Sequence, residues 1–283
     1  MGELIYTFNR WKIMSLLLLC GLLVYFSQVT FNDTFRSGWF IFIKIAIIIA
    51  FFVLPFHRFR NKSSDPYGRI YFAFFTAALS IFLGLYFGKY IIRLLQLNQH
   101  SLQGFTLNKL SEDLMIILII LILTQLAGEN RKSLYLTSGN LKYGLLIGIS
   151  TFMLLALLAV IQSRLSNISM KSLIRLSPSI FVIAIADGFM EELLFRGLFL
   201  KRFSAIIGDR LSNFLTAVLF ALAHIRITYI SEIIPFLVVL FSLGLLWGFI
   251  IQRTNSLLAS VLIHAGADLL IVIPALHAYG ITI

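Results

Sequence analysis

Long apolar runs, roughly 15–20 residues each and separated by short polar loops, recur along this chain of 283 residues and decide which solvent it folds in. Within the runs, hydrophobic residues follow one another without a two-residue alternation. The spanning element they fit is therefore an α-helix and not a barrel strand. Hydrophobic residues make up 59% of the chain and charged residues 12%. Soluble domains carry roughly twice that charged fraction. The mean hydropathy of +0.95 leaves too little polar surface to cover a water-soluble fold. In lipid, a helix satisfies its own backbone and needs no such cover. The fold class that follows is all-α: a polytopic transmembrane helix bundle embedded in a lipid bilayer.

Nine runs are predicted to span, at 13–29, 37–56, 70–88, 111–128, 143–162, 178–200, 211–225, 233–252 and 257–275. The seventh is short and fits a tilted, partly embedded or re-entrant helix, so eight crossings are an alternative count. Ser111-Glu112-Asp113 reads as a helix start, and Pro178 as the opening of the sixth span. Segment 89–113 mixes Leu, Ile and Phe with charge and reads as lying on the membrane surface. Ile13–Val29 is longer than a signal-peptide core and has no small-residue cleavage site after it, so it reads as a retained span. Cys20 is the single cysteine and forms no intramolecular disulfide.

The net charge of +11 does not point to nucleic acid, because the Lys and Arg residues sit in short loops between apolar runs. With the N-terminus in the cytoplasm, 13 of the 23 fall in inside segments and 8 in outside segments, the bias expected of membrane topology. The short loops fit a multi-pass protein of a bacterial plasma membrane. The chain reads as one membrane body, with 1–140 lacking any signature and 141–283 carrying the chemistry.

That chemistry is concentrated. Ionisable residues inside spans are costly and mark functional sites. Here they gather in spans six, seven and nine: Asp187, Glu191, Glu192, Arg196, His224, His264 and Asp268. Residues four apart lie about 40° apart on a helix, so Glu192 and Arg196 pair. Asp187 and Glu191 share a neighbouring face, which leaves Glu191 free of the arginine. His264 and Asp268 have the same spacing, and the carboxylate is placed to fix the imidazole tautomer. Counted from the same membrane face, Glu191, His224 and His264 lie about 15, 18 and 12 Å deep at 1.5 Å per residue. A carboxylate and two imidazoles at one level form a set that can take a proton from water and return it to a leaving amine.

Blander readings hold for single residues. Glu192–Arg196 serves as a structural pair. Gly244 and Gly248 form a GxxxG pattern of close helix packing. Phe220 packs beside His224, Lys44 snorkels or pairs, and His277 is interfacial. The weight lies on the conjunction. Two His and a Glu are also a familiar zinc set, so zinc at Glu191, His224 and His264 is the alternative to a site without metal. The H-E-x-x-H spacing of zincins is absent.

The residues resemble a known family. Glu191-Glu192-Leu193-Leu194-Phe195-Arg196 is similar to the EExxxR motif of the CAAX protease and bacteriocin-processing family, also called Abi or type II CAAX endopeptidases. Phe220-Ala221-Leu222-Ala223-His224 resembles its FxxxH motif, and His264-Ala265-Gly266-Ala267-Asp268 its last motif, HxxxN or HxxxD. The resemblance implies a helical membrane fold with an intramembrane active-site cavity open toward the cytoplasm. It implies that Glu191 activates the hydrolytic water with help from His224, and that His264 and Asp268 form an oxyanion site. Eukaryotic members often have Asn where this chain has Asp268, and an ionised aspartate donates no hydrogen bond. Either His264 donates alone, oriented by Asp268, or Asp268 carries a proton.

The function expected is an intramembrane endopeptidase acting on a membrane-associated polypeptide, with no cofactor and no nucleic-acid partner. The alternatives are a non-catalytic scaffold or immunity protein and a proton-coupled transporter using the same polar cluster.

Overall fold

The computed structural model describes residues 2–30, 39–59, 66–227, 230–278 and 281. Arg36, Arg60 and Lys62, which entered the topology count, lie outside the described residues, as do the side chains of Arg58 and His277. The described chain is helical throughout. Helix α1 (Gly2–Tyr25) ends in a π turn (Phe26–Thr30) and is followed by α2 (Trp39–Phe59), α3 (Pro66–Leu94) and α4 (Leu102–Leu126). Next come α5 (Leu141–Leu165) and α6 (Met170–Glu192), which runs through a π segment (Leu193–Leu200) into α7 (Lys201–Ile207). The last elements are α8 (Asp209–Ala223), α9 (Ile233–Thr254) and α10 (Leu258–Ala278).

Among the described residues, six stretches are long and apolar enough to cross a membrane: Arg10–Gln28, Pro66–Leu94, Leu141–Leu165, Met170–Ile207, Ile233–Thr254 and Leu258–Leu276. The other three predicted spans lie on α2, α4 and α8. Helix α2 has 21 residues, of which Trp39–Leu54 form its described apolar stretch. Helix α8 has 15 residues, about 22 Å at 1.5 Å each against a hydrocarbon core of about 30 Å. Helix α4 carries Lys109, Glu112 and Asp113 ahead of its apolar run.

Helix starts differ from the sequence reading in two places. Helix α4 begins at Leu102, capped by Ser101, whose hydroxyl accepts from the Gly104 amide at 3.0 Å. Ser111-Glu112-Asp113 is therefore mid-helix, and 102–113 is the first half of a packed helix, not a surface segment. The acidic pair is tolerated there because Lys109, one turn back, bridges Asp113. Helix α6 begins at Met170, capped by Ser169, and Pro178 lies inside it. Proline removes the amide that would bond the carbonyl four residues back. That carbonyl, of Ile174, accepts the Ser177 hydroxyl at 2.9 Å instead.

Four contacts position the chemistry. Helix α10 packs against both α5 and α6, α8 packs against α9, and α4 packs against α6. The loop before α5 fastens the α9–α10 turn: Leu257 donates to the Tyr135 carbonyl at 3.1 Å, Asn140 to Thr254 at 3.0 Å, and the Ser256 hydroxyl to Thr137 at 2.6 Å. Gly139, at φ +51°, permits that docking, since a Cβ there would meet the Thr254 carbonyl at 2.1 Å. Gly208, at φ +83°, makes the reversal between α7 and α8. The outer face of α5 exposes Leu146, Met153, Leu154 and Leu157, as expected of a helix whose solvent is lipid. Lys44 is buried and donates to the Gln28 carbonyl at 2.9 Å, so it pairs within the bundle.

Candidate active site

The C-terminal end of α6 carries two adjacent glutamates that point to different environments. Glu192 is fully buried and its Oε1 lies 2.7 Å from Arg196 Nη1, the pair that the i, i+4 spacing predicted. The pairing persists although the helix passes into a π segment directly after Glu192, a feature frequent at functional sites. Arg196 also donates to the Gly244 carbonyl at 3.3 Å, and its guanidinium carbon sits 4.5 Å from the Phe220 ring centroid. Phe220 thus packs as expected and in addition faces a buried cation.

Gly244 and Gly248 are both close-packing positions of α9 against α8. A Cβ on Gly244 would meet Arg196 Nη2 at 3.0 Å and Ala217 at 3.2 Å; one on Gly248 would meet Asn213 Oδ1 at 1.9 Å. Asn213 uses the space to donate to the Leu245 carbonyl at 3.0 Å.

Glu191 lies between the two imidazoles. Its Oε1 is 3.5 Å from His224 Nε2 and its Oε2 is 3.3 Å from His264 Nε2. These distances exceed the roughly 2.7–3.2 Å of a direct N–H···O bond, so the carboxylate remains open to a third partner. Catalytic contacts of this length are common before substrate binds. Glu191 is 16% exposed, His224 19% and Asp268 14%, whereas His264 is 4% exposed.

The opposite nitrogen of each ring is already committed. His224, at the C-cap of α8, has Nδ1 2.8 Å from the Phe220 carbonyl, which accepts only, so Nδ1 carries the proton. His264 has Nδ1 2.9 Å from Glu192 Oε1. That oxygen also accepts from Arg196, so it belongs to a carboxylate, and Nδ1 is again the donor. Both Nε2 atoms are therefore acceptors in the neutral rings, and both face Glu191. The His264 ring is held flat against Trp247 at 4.1 Å between centroids and 16° between planes, and edge-on to Phe220 at 5.6 Å.

Two expectations change. The sequence assigned the His264 tautomer to Asp268, one turn away. Asp268 Oδ1 is instead 3.7 Å from Nε2, beyond hydrogen-bond range, and Glu192 takes that part on the other nitrogen. The residue on α6 is 72 positions distant in the chain, a pairing that no local spacing reveals. Asp187 does not turn to Glu191 or the histidines; it pairs with Lys109 of α4 at 2.6 Å. Lys109 and Trp247 were missed altogether. Lys109 had a readable signal in its i, i+4 spacing to Asp113, and Trp247 had none.

A cavity of about 540 Å³ lies between the α5–α6 turn and the last part of α10, lined by Ser163, Asn167, Leu269 and Pro274 among others. It begins one residue past Asp268 in the chain and is not centred on Glu191. Among the described residues, no three His, Cys, Asp or Glu side chains are arranged to hold a metal ion. Glu191 presents one oxygen to each ring, so the three groups do not share a single centre.

Several apolar membrane-length helices enclosing a carboxylate–imidazole cluster define a multi-pass membrane protein with the equipment of a hydrolase. Residues 173–270, which hold all seven ionisable residues of the cluster predicted from the sequence, match the model of the family described as type II CAAX prenyl endopeptidase Rce1-like. Over that segment the chain is similar to the CAAX protease family, and the match spans about a third of its length. Comparison with curated proteins and with solved structures finds no match.

Proposed function

We propose that this chain hydrolyses a peptide bond in a membrane-associated polypeptide, with Glu191 as the general base. The observation that carries the reading is the tautomer arrangement. Both imidazoles spend their Nδ1–H on fixed acceptors and turn bare Nε2 atoms toward the two oxygens of one carboxylate.

A water held between Glu191 and His224 Nε2 gives up a proton to this pair as its oxygen attacks the scissile carbonyl carbon. The carbon–nitrogen bond then breaks, and the same proton passes to the leaving nitrogen. The products are a carboxylic acid and an amine, between which the acid's proton then passes to give a carboxylate and an ammonium, and the pair returns to its first state. His264 stabilises the developing oxyanion when Nε2 also carries a proton. The ring is then an imidazolium, which Glu192, Glu191 and Asp268 surround with negative charge. This gives Asp268 a part without requiring it to donate: at 3.7 Å it balances the ring charge. The preorganised donor in a site closed to bulk water supplies the larger share of such catalysis.

The substrate class rests on the bilayer setting and on the family, whose description names prenylated CAAX substrates. The multi-pass body supports a reaction within a membrane, which we assign to a bacterial plasma membrane. The test uses purified protein in detergent and two quenched fluorogenic membrane-anchored peptides, one carrying a prenylated cysteine near its C-terminus and one without it. Cleavage by the wild type and none by Glu191→Gln is expected. Absence of cleavage, together with proton flux across liposomes that depends on Glu191, would assign the cluster to transport.

A further inference from the structure

The α4 helix contributes a charge to this site that lies outside the segment matching the protease family. Lys109 Nζ lies 2.6 Å from Asp187 Oδ1 on α6 and 3.1 Å from Asp113 Oδ1 on its own helix. Asp113 is completely buried, and Asp187 is one helical turn ahead of Glu191. The lysine therefore links a buried anchor to the helix that presents the base.

The need for it follows from the charges present. Asp113, Asp187, Glu191, Glu192 and Asp268 face Arg196 and Lys109, with His224 and His264 between them. Arg196 is taken up by Glu192 and the Gly244 carbonyl. That leaves Lys109 as the fixed positive charge on the Asp187 side, where like charges would otherwise hold protons and draw α6 out of register. The other charged groups close to the pair are Glu112, which Asn108 bonds at 2.8 Å on α4, and Lys89 of α3, whose charge acts on Glu112.

We propose that Lys109 is a positioning residue of the active site: its bridge between Asp113 and Asp187 sets the placement and protonation of Glu191 from the N-terminal half of the chain. This rests on the endopeptidase reading above. The bridge fixes α6 against α4 one turn from the base, and its positive charge offsets the carboxylates gathered on that side.

The test measures kcat and KM against pH on a membrane-anchored fluorogenic peptide, with thermal melting to score folding. Lys109→Met should lower kcat at least tenfold with KM within about twofold. Losing a cation makes neighbouring groups hold their protons to higher pH, so the acid limb of the profile should move up by about half a unit or more. Asp187→Asn should move it down. Lys109→Met with Asp187→Asn removes one charge of each sign and should bring the limb back toward wild type. Lys109→Arg should keep the wild-type profile.

A folded Lys109→Met protein with wild-type kcat and profile overturns the inference. So does a double variant shifted as far as Lys109→Met alone. If Lys109→Met does not accumulate because Asp113 is stranded, Asp187→Asn decides alone, and an unmoved limb in that variant overturns the inference. Failure of the endopeptidase reading is separately visible, because it appears as absent cleavage in the wild type, and the inference then falls with it.

Discussion

Glu192 Oε1 accepts from His264 Nδ1 at 2.9 Å while also holding Arg196 at 2.7 Å. The second glutamate of the pair is therefore both a structural counter-ion and the group that fixes the orientation of one imidazole. Glu192→Gln should reduce folded protein, since Arg196 then lies buried without a counter-charge at a cost of about 3–5 kcal/mol. Arg196→Leu should do the same from the other side. Glu192→Gln combined with Arg196→Met restores charge balance. It should recover thermal stability in detergent without recovering cleavage, because the amide no longer fixes the His264 tautomer. Recovery of both would reduce Glu192 to a structural counter-ion.

Glu191→Gln is expected to behave in the opposite way. Glu191 is partly exposed and makes contacts of 3.3 and 3.5 Å, with no closed ion pair. Its amide fills the same volume, so expression and melting temperature should stay near wild type while cleavage falls below detection. If instead Glu191→Gln remains active and Glu192→Gln folds but is inactive, the two roles are exchanged.

Gly188 sets the gap between the helix of the base and the helix of His264. A Cβ there would meet the Ala265 amide nitrogen at 3.0 Å and the Val261 carbonyl at 3.4 Å. Backbone cannot swing aside as a side chain can, so a larger residue must move α6 away from α10. Gly188→Ala should cost a few-fold in kcat. Gly188→Leu should cost more than tenfold and lower the melting temperature, given that small misplacements of catalytic groups are expensive. Gly248→Ala is the comparison at a packing site remote from the base, where the obstructing atom is the Asn213 side chain. It should affect stability more than kcat.

The bundle and the local pairs were legible because their causes are local. Apolar run length fixes a helix in lipid, and i, i+4 spacing placed Arg196 on Glu192. The close-packing reading of Gly244 and Gly248 rests on the same kind of periodicity. What escaped the sequence is what depends on neighbours distant in the chain. The partner of His264 is 72 residues away, and Trp247 reaches the same ring from another helix. Ser111-Glu112-Asp113 was taken for a helix start because acidic residues do gather there; Ser101 holds the true cap ten residues before Ser111. Pro178 misled for the same reason, since the Ser177 hydroxyl repairs the broken bond and lets the helix continue. Span number rests on hydropathy and length, and α8 is the marginal case, apolar with 15 residues.

The arrangement around Glu191 leads to an expectation about metal. Zinc held by this set would need one Glu191 oxygen and both Nε2 atoms about 2.0–2.2 Å from a common centre. Instead, Oε1 faces His224 and Oε2 faces His264, so the carboxylate bridges two rings as a proton relay would. The Nδ1 contacts do not discriminate, since a ligating imidazole also donates its second N–H to a carboxylate or carbonyl. The spacing at Glu191 is compatible with a base that acts without metal, and metal analysis decides between the two. Protein dialysed against a strong chelator should keep full activity, and elemental analysis should find far less than one zinc per chain. Stoichiometric zinc, with activity lost on chelation and restored by added Zn²⁺, would show that the carboxylate rotates to share one centre with both rings. Glu191 would then be a ligand or the base for a metal-bound water. Glu191→Gln separates those two, because a lost ligand lowers zinc content whereas a lost base leaves the metal in place.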